Sequence, residues 1–255
     1  MDCQRLQNDL RKLEKWEELW DIEFNPSKCQ VLHVTRNRKL IEHPYKLHGQ
    51  TLLIPFKDAK YLGVDICHDL SWNTHISRIT THANKTLGFL KRNIKTKHEK
   101  VKTLSYQTLV RPQLEYASPV WSPHTQVNNH NIEMIQRRAV RWVKNDYSHY
   151  TSVTHLQNTL NWRTLENRRI YAKLVLFYKV YHHLVAISLP SYLEVPTRLN
   201  RHMHPLSLRQ VHTGYDYFKF SFFPHTTVLW NRLPHPVATL PNLESFKQAV
   251  AQPSH

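Results

Sequence analysis

From residue 72 to about 185, apolar side chains recur at three- and four-residue steps, which commits nearly half of the chain to helices. Ile76, Ile79, Ala83, Leu87, Leu90 and Ile94 form one stripe. A second helix is expected over about 99–110. Pro112, Pro119 and Pro123 mark the connection after it, because proline lacks the N–H that a helix interior requires. Ile132, Ile135, Ala139, Trp142 and Val143 form another stripe. The stretch 162–184 is apolar over a wide arc, as suits a helix central to a bundle.

The flanks read differently. Leu6, Leu10, Leu13, Trp16 and Trp20 mark an amphipathic helix over 4–20, which Asn25-Pro26 ends. Residues 30–35 read as a short strand. Residues 45–47 and 51–54 flank His48-Gly49-Gln50 as a hairpin, and 60–66 is another strand. One helix followed by several strands makes a small α+β unit. Beyond 186, prolines recur at 190, 196, 205, 224, 234, 236 and 241. Residues 215–229 are aromatic and β-branched and read as a hairpin, with a last short helix at 241–250. This tail is expected to pack loosely.

Charge narrows the partners. The chain holds 35 Lys+Arg against 19 Asp+Glu, a formal net charge of +16, which favours polyanions. The acids are uneven. Asp2, Asp9, Glu14, Glu17, Glu18, Asp21 and Glu23 all fall in residues 1–23, whereas only Glu99 and Glu115 fall between 70 and 132. The first helix is therefore expected to face solvent or protein, and the middle to face phosphate. Cys3, Cys29 and Cys67 are far apart and form no C-x-x-C, so neither a disulfide framework nor a zinc knuckle is indicated. Intracellular surroundings, nuclear or cytoplasmic, fit best. No apolar run nears 18 residues and no signal peptide opens the chain, so no membrane partner is expected. The 19 histidines lack ligand spacing, His182-His183 and His202-x-His204 being the closest approaches, and no metal site is expected. With only 4 glycines there is no phosphate-cradling loop.

Several short motifs then occur in a telling order. They are Asn25-Pro26-Ser27-Lys28, Tyr61-Leu62-Gly63-Val64-Asp65, Trp72-x-x-His75-Ile76, Val110-Arg111-Pro112-x-Leu114-Glu115-Tyr116 and Val120-Trp121-x-Pro123. Ile132-Glu133-x-x-Gln136-Arg137-Arg138-Ala139, Leu165-x-x-Arg168-Arg169, Trp230-Asn231-x-Leu233-Pro234 and Phe246-Lys247 follow. Each is weak alone, but together and in this order the chain resembles, over roughly 4–250, the last part of non-LTR (LINE-type) retrotransposon reverse transcriptases. The resemblance implies an α+β fold in three parts. Residues 1–68 would end a palm, as a helix plus short antiparallel strands; 69–185 would form a mainly α-helical thumb and connection bundle; 186–255 would be a short mixed tail.

The resemblance also implies roles. Lys28 stands at the motif D position, where a lysine beside the outgoing pyrophosphate acts as general acid or holds charge. Without the resemblance it reads as a turn lysine, since Asn-Pro-Ser is itself a turn signal. Tyr61 and Gly63 belong to the primer-grip hairpin, motif E, where a residue without Cβ admits the primer backbone. Arg78, Lys85, Lys91, Arg92, Lys95, Lys97, Lys100 and Lys102 face only Glu99 as opposing charge, and could track phosphates without reading bases. Arg137, Arg141 and Lys144 share one helical face and are assigned the same work. Arg168 and Arg169 could contact phosphate or pair with Glu166 and Glu133, and Arg111 with Glu115 reads as an ion pair holding its loop.

The family's catalysis needs Mg2+ held by one upstream aspartate and an adjacent Asp-Asp pair. No two adjacent aspartates occur in this chain. It is therefore expected to bind no cofactor, to be inactive alone as an RNA-directed DNA polymerase, and to begin downstream of the catalytic pair. Two functional readings stand. One is a truncated polymerase remnant that binds RNA, RNA–DNA hybrid or DNA duplex through the backbone. The other is a non-enzymatic host binding or interaction module derived from such an element. An orphaned palm surface, with Leu6, Leu10, Leu13, Val31, Leu32 and Val34, is expected to favour self-association.

Overall fold

The computed structural model describes residues 2–35, 43–54, 58–198 and 203–251, and divides into two compact units, Met1–His75 and Ile76–His255. His202 lies outside the described residues. The fold is α+β: two short antiparallel strand pairs, then a helical bundle.

In the first unit α1 (Asp2–Trp20) is followed by a 3-10 turn at Pro26–Lys28. β1 (Lys46–Leu47) pairs with β2 (Gln50–Thr51), and β3 (Asp58–Tyr61) with β4 (Val64–Cys67). Each hairpin turns through two residues of positive φ: His48 (49°) with Gly49 (72°), and Leu62 (46°) with Gly63 (83°). Such turns match the right-handed twist of the flanking strands, and glycine accepts the second position at no steric cost. The strand expected at 30–35 is reduced to one bridge, Gln30 with Leu53. Val31 N donates to Leu53 O, while Thr35 N donates to His68 O. The segment thus spends its bonds on two different hairpins, and no ladder of consecutive pairs can form.

A small core of Tyr45, Leu47 and Leu52 gathers Leu10, Phe24, Cys29 and Val31. α1 is fastened to β1 by Gln7, whose Nε2 donates to Lys46 O at 2.9 Å while its Oε1 accepts from Lys46 N at 2.8 Å. Glu17, expected to face solvent, is buried: Phe24 N donates to its carboxylate, and His48 Nε2 lies 2.7 Å away. The reason is local, since the hairpin turn and the residues after α1 both bring N–H groups to that spot. The rest of α1 is open, with Leu6, Leu13, Trp16, Leu19 and Trp20 exposed.

α2 (Asn73–Asn93) starts with the last three residues of the first unit, and in the second unit it is followed by one continuous helical path: α3 (Glu99–Ser105), a wide π-type turn at Tyr106–Val110, and α4 (Arg111–Glu115). α5 (Ser118–Trp121), α6 (Gln126–Lys144), α7 (Val153–Thr159) and α8 (Leu165–Tyr181) complete the bundle. α8 is central, packing against α4, α5 and α6. Thr164 caps it, accepting from Asn167 N at 3.1 Å.

The tail departs from its expected form. Residues 215–229 do not make a hairpin; they lie in α9 (Asp216–Lys219) and α10 (Phe222–Asn231). Pro224 falls in the first turn of α10, where a missing N–H costs a helix nothing. α11 (His235–Ala238) and α12 (Leu243–Ala251) follow. Nor is the tail loose, for α10 and α12 pack on α8. Trp230 and Phe246 are fully buried with Phe177 and Tyr178. Trp230 Nε1 donates to Leu206 O at 2.8 Å, and Tyr178 Oη to Leu240 O at 2.9 Å. Asn231 accepts from Leu208 N and donates to Leu208 O. Buried aromatics with satisfied polar tips are the reason: they supply more apolar area than a two-stranded hairpin could cover.

Candidate nucleic-acid interface

α2 buries Ile76, Ile79, Ala83, Leu87 and Leu90, and so turns its opposite face to solvent. Arg78, Lys85 and Arg92 recur at seven-residue steps on that face and are all exposed. At 1.5 Å rise per residue, successive cations stand roughly 10 Å apart along the helix. Phe89, also exposed, lies beside the same row. Arg92 folds back along the helix over Gly88, where a Cβ would stand at an ordinary 3.4 Å from Arg92 Nη1. Lys95 and Lys97 continue the charge through the connection after α2, and Lys100 opens α3; all three are exposed.

The flanks of α2 are fixed by polar side chains. On one side His82 Nδ1 stands 2.7 Å from Gln113 Oε1 of α4. On the other, Arg138 of α6 donates to Asn84 Oδ1 at 3.0 Å. Lys91 leans to this second side, with its Nζ 6.0 Å from the Tyr147 ring centre. Burial, then the nearby Arg138 charge, pulls its pKa below the ordinary lysine value. Arg138, Asn84, Phe89 and Tyr147 were not singled out by the sequence reading. The adjacent basic pair Arg137-Arg138 was the available signal, but helical position alone does not say which of two neighbours meets α2.

Other basic residues are committed to the fold. Lys102 is 4% exposed, and its Nζ donates to Trp142 O at 3.0 Å, so it leaves the phosphate-facing set. Its spacing explains this: Lys102, Tyr106, Val110 and Leu114 follow one another at four-residue steps and are all buried. Lys144 pairs with Glu99 at 2.8 Å. Arg141 donates to the carbonyls of Asp146, Ser148 and Thr151. Arg137 stays exposed and lines an open cavity of about 630 Å³ with Asn158, Asn161, Arg163 and Thr164. The face expected to carry Arg137, Arg141 and Lys144 together therefore presents one exposed cation.

Three further arginines of the bundle, Arg169 buried and Arg111 and Arg168 half-buried, settle on neutral and acidic partners. Glu115 holds both Arg168, across the bundle, and Arg111, at 3.7 Å on its own helix. Arg169 donates to Asn129 Oδ1 at 2.7 Å, and burial depresses its pKa. Glu133 accepts from Glu166 N at 2.8 Å, while burial raises its carboxyl above the usual range. Lys173, on the same buried row, lies 3.0 Å from His225 Nδ1 of α10.

In the first unit, Asn25 Oδ1 accepts from Ser27 N at 3.0 Å and holds the turn that ends on Lys28, which is exposed. Tyr61 and Leu62 project at the tip of the second hairpin, while Val64 behind them is buried. Gly63 is required there by its positive φ. Asp65 is buried against His75. Among the described residues no three His, Cys, Asp or Glu side chains converge on a common point. No described helix is long and apolar enough to cross a membrane.

Comparison with known proteins points to the same family as the motifs. The chain is 26% identical over 167 residues to a probable RNA-directed DNA polymerase from transposon BS of Drosophila melanogaster, covering 64% of this chain and 18% of that protein. It is 28% identical over 141 residues to the RNA-directed DNA polymerase from mobile element jockey of Drosophila funebris, covering 53% of this chain and 15% of that protein. The matches thus span less than a fifth of either relative. No family model and no solved structure matches the chain. The chain resembles part of a non-LTR retrotransposon RNA-directed DNA polymerase.

Proposed function

We propose that this chain is a nucleic-acid-gripping portion of a retrotransposon-type RNA-directed DNA polymerase. It binds primer–template or structural RNA by the sugar-phosphate backbone, without reading sequence, and does not itself catalyse nucleotide addition. The observation that carries this reading is the exposed row Arg78, Lys85 and Arg92, backed by a buried apolar stripe on the same helix. A regularly spaced line of exposed positive charge suits a repeating anion, and phosphate contacts position a duplex without specifying it. In this reading Lys28 is the residue that would meet pyrophosphate in a whole polymerase, and Tyr61 with Gly63 the part that would meet the primer. The adjacent aspartate pair that would hold Mg2+ in the family is not among these residues. Such work belongs in the nucleus or cytoplasm. The open apolar face of α1 supports self-association.

The test is fluorescence anisotropy with an RNA–DNA duplex across salt concentrations. Sub-micromolar affinity at low salt should fall steeply, with a log–log slope of about −0.9 per phosphate neutralised. A flat salt response would remove the reading. So would measurable nucleotide incorporation by the isolated chain, as regards inactivity.

A further inference from the structure

The segment after α6, residues 145–152, is short and internally tied. Asn145 turns the chain off the helix at φ 52°. The Arg141 guanidinium then donates to the carbonyls of Asp146 at 3.3 Å, Ser148 at 2.9 Å and Thr151 at 3.4 Å. The Asp146 carboxylate accepts from Ser148 N at 2.9 Å, and Ser148 Oγ accepts from Tyr150 N at 3.2 Å. The first of these bonds, with one from Thr151, holds the Asp146 carboxyl below its usual range.

With its polar groups spent on itself, the loop turns its rings outward. Tyr147 is 56% exposed and Tyr150 is 101% exposed. Rings so exposed add little to the core and are open to a ligand. Two cations stand near the loop. Lys91 Nζ is 6.0 Å from the Tyr147 ring centre, and Arg138 is close enough to depress Lys91 by repulsion. Arg138 is met by the neutral Asn84, and among the described residues no carboxylate pairs with either cation.

Exposed rings on a tied loop, one of them beside a cation, suit an unpaired strand. Every base offers a π-face to stack, and its phosphates follow the charges. A duplex hides those faces, so the pairing of features selects single strands. We propose that the loop 145–152 is a stacking platform for unpaired nucleotides, with Tyr147 and Tyr150 receiving bases and Lys91 and Arg138 their phosphates. The proposal rests on the nucleic-acid reading above and names which part of the ligand this face takes.

The test compares a blunt duplex with the same duplex carrying a single-stranded overhang of about ten nucleotides, with 2-aminopurine in the overhang. Wild-type protein should prefer the overhang by roughly tenfold, the worth of one stacked base, and quench the 2-aminopurine. Tyr147→Ala with Tyr150→Ala should lose both the preference and the quench yet keep blunt-duplex affinity. Tyr147→Phe with Tyr150→Phe should keep all three, because phenylalanine still stacks. Thymidine and uridine overhangs run in parallel; a preference with either supports the platform and names the strand. Equal affinity of the wild type for overhang and blunt duplex overturns it, as does an Ala pair that still quenches or a Phe pair that does not. A platform displaced only by peptides, never by single strands, overturns it too. A flat salt response with the blunt duplex sinks the backbone-gripping function instead, and the overhang-dependent difference separates the two failures.

Discussion

His75 Nδ1 stands 3.2 Å from Asp65 Oδ2, and both side chains are nearly sealed from water. The same ring nitrogen is 3.2 Å from Asp65 N. Asp65 sits in β4 and His75 in the first turn of α2, so two motifs that look separate in the sequence meet at one buried contact.

Removing that contact should be costly. His75→Ala takes a hydrogen-bonding partner from a buried carboxyl, which is worth about 1–3 kcal/mol. Urea unfolding would measure it. A midpoint unchanged from wild type would mean that the contact contributes nothing.

Lys102 and the exposed row should separate cleanly. Lys102→Ala strips a buried donor from the Trp142 carbonyl and should cost about 1–3 kcal/mol, with the salt slope of binding unchanged. Lys85→Ala and Arg92→Ala should leave stability within about 0.5 kcal/mol and each flatten the slope by roughly 0.9. Thermal melts and anisotropy on the same preparations decide the matter. The reverse pattern would mean that the α2 row is not the phosphate-facing surface.

Leu62 holds φ 46° at a hairpin tip while 73% exposed, an unfavourable backbone region for a side chain branched at Cγ. Asparagine tolerates that region. Leu62→Asn should therefore raise stability by about 1 kcal/mol, read as a higher melting temperature. A lower melting temperature would show that the leucine side chain contributes more than its backbone costs.

The α8–α10 contact should be acid-labile. Burial, then the Lys173 charge, brings His225 from near 6.5 down to about 4. Arg232 and His124 add to the repulsion. Lys173, itself lowered by burial to about 8, donates to the neutral ring at 3.0 Å. The folded state then binds fewer protons than the unfolded one between these two His225 values, so stability rises with pH across that window. This contribution is complete above about 6.5 and is lost as pH falls towards 4. His225→Gln keeps an acceptor for Lys173 without titrating, and denaturation curves at several pH values should show a shallower acid loss. Identical curves would assign the loss to carboxylates elsewhere.

Self-association is testable through α1. Leu13→Lys with Trp20→Lys adds charge to two exposed apolar positions and should shift sedimentation towards monomer. Unchanged association at equal concentration would move the contact elsewhere.

The helices of the middle region were legible because burial of one face imposes a period, and Ile76, Ile79, Ala83, Leu87 and Leu90 carry it. The turn at His48-Gly49 was legible because glycine there answers a specific backbone need. Charge was a poorer guide. Nothing in the side chain of Lys102 says that it points inward; its place in the row with Tyr106 and Val110 does. The Arg141 side chain likewise serves the loop after its helix, a contact set by where the chain goes next. Residues 215–229 misled because aromatic and β-branched composition signals burial as well as strand, and here the bundle supplied the burial. The loop rings Tyr147 and Tyr150 carry no period at all, and only coordinates reveal that both stand in water, Tyr147 beside Lys91.

The Gln7 amide imitates a neighbouring peptide along β1. It occupies the outward N–H and C=O of Lys46 as a further strand would. Any chain seeking to lengthen this small sheet from that side must first evict a side chain that already answers both groups. Recruitment through backbone zippering is thereby discouraged at this margin, and encounters are left to the greasy flank of the neighbouring helix.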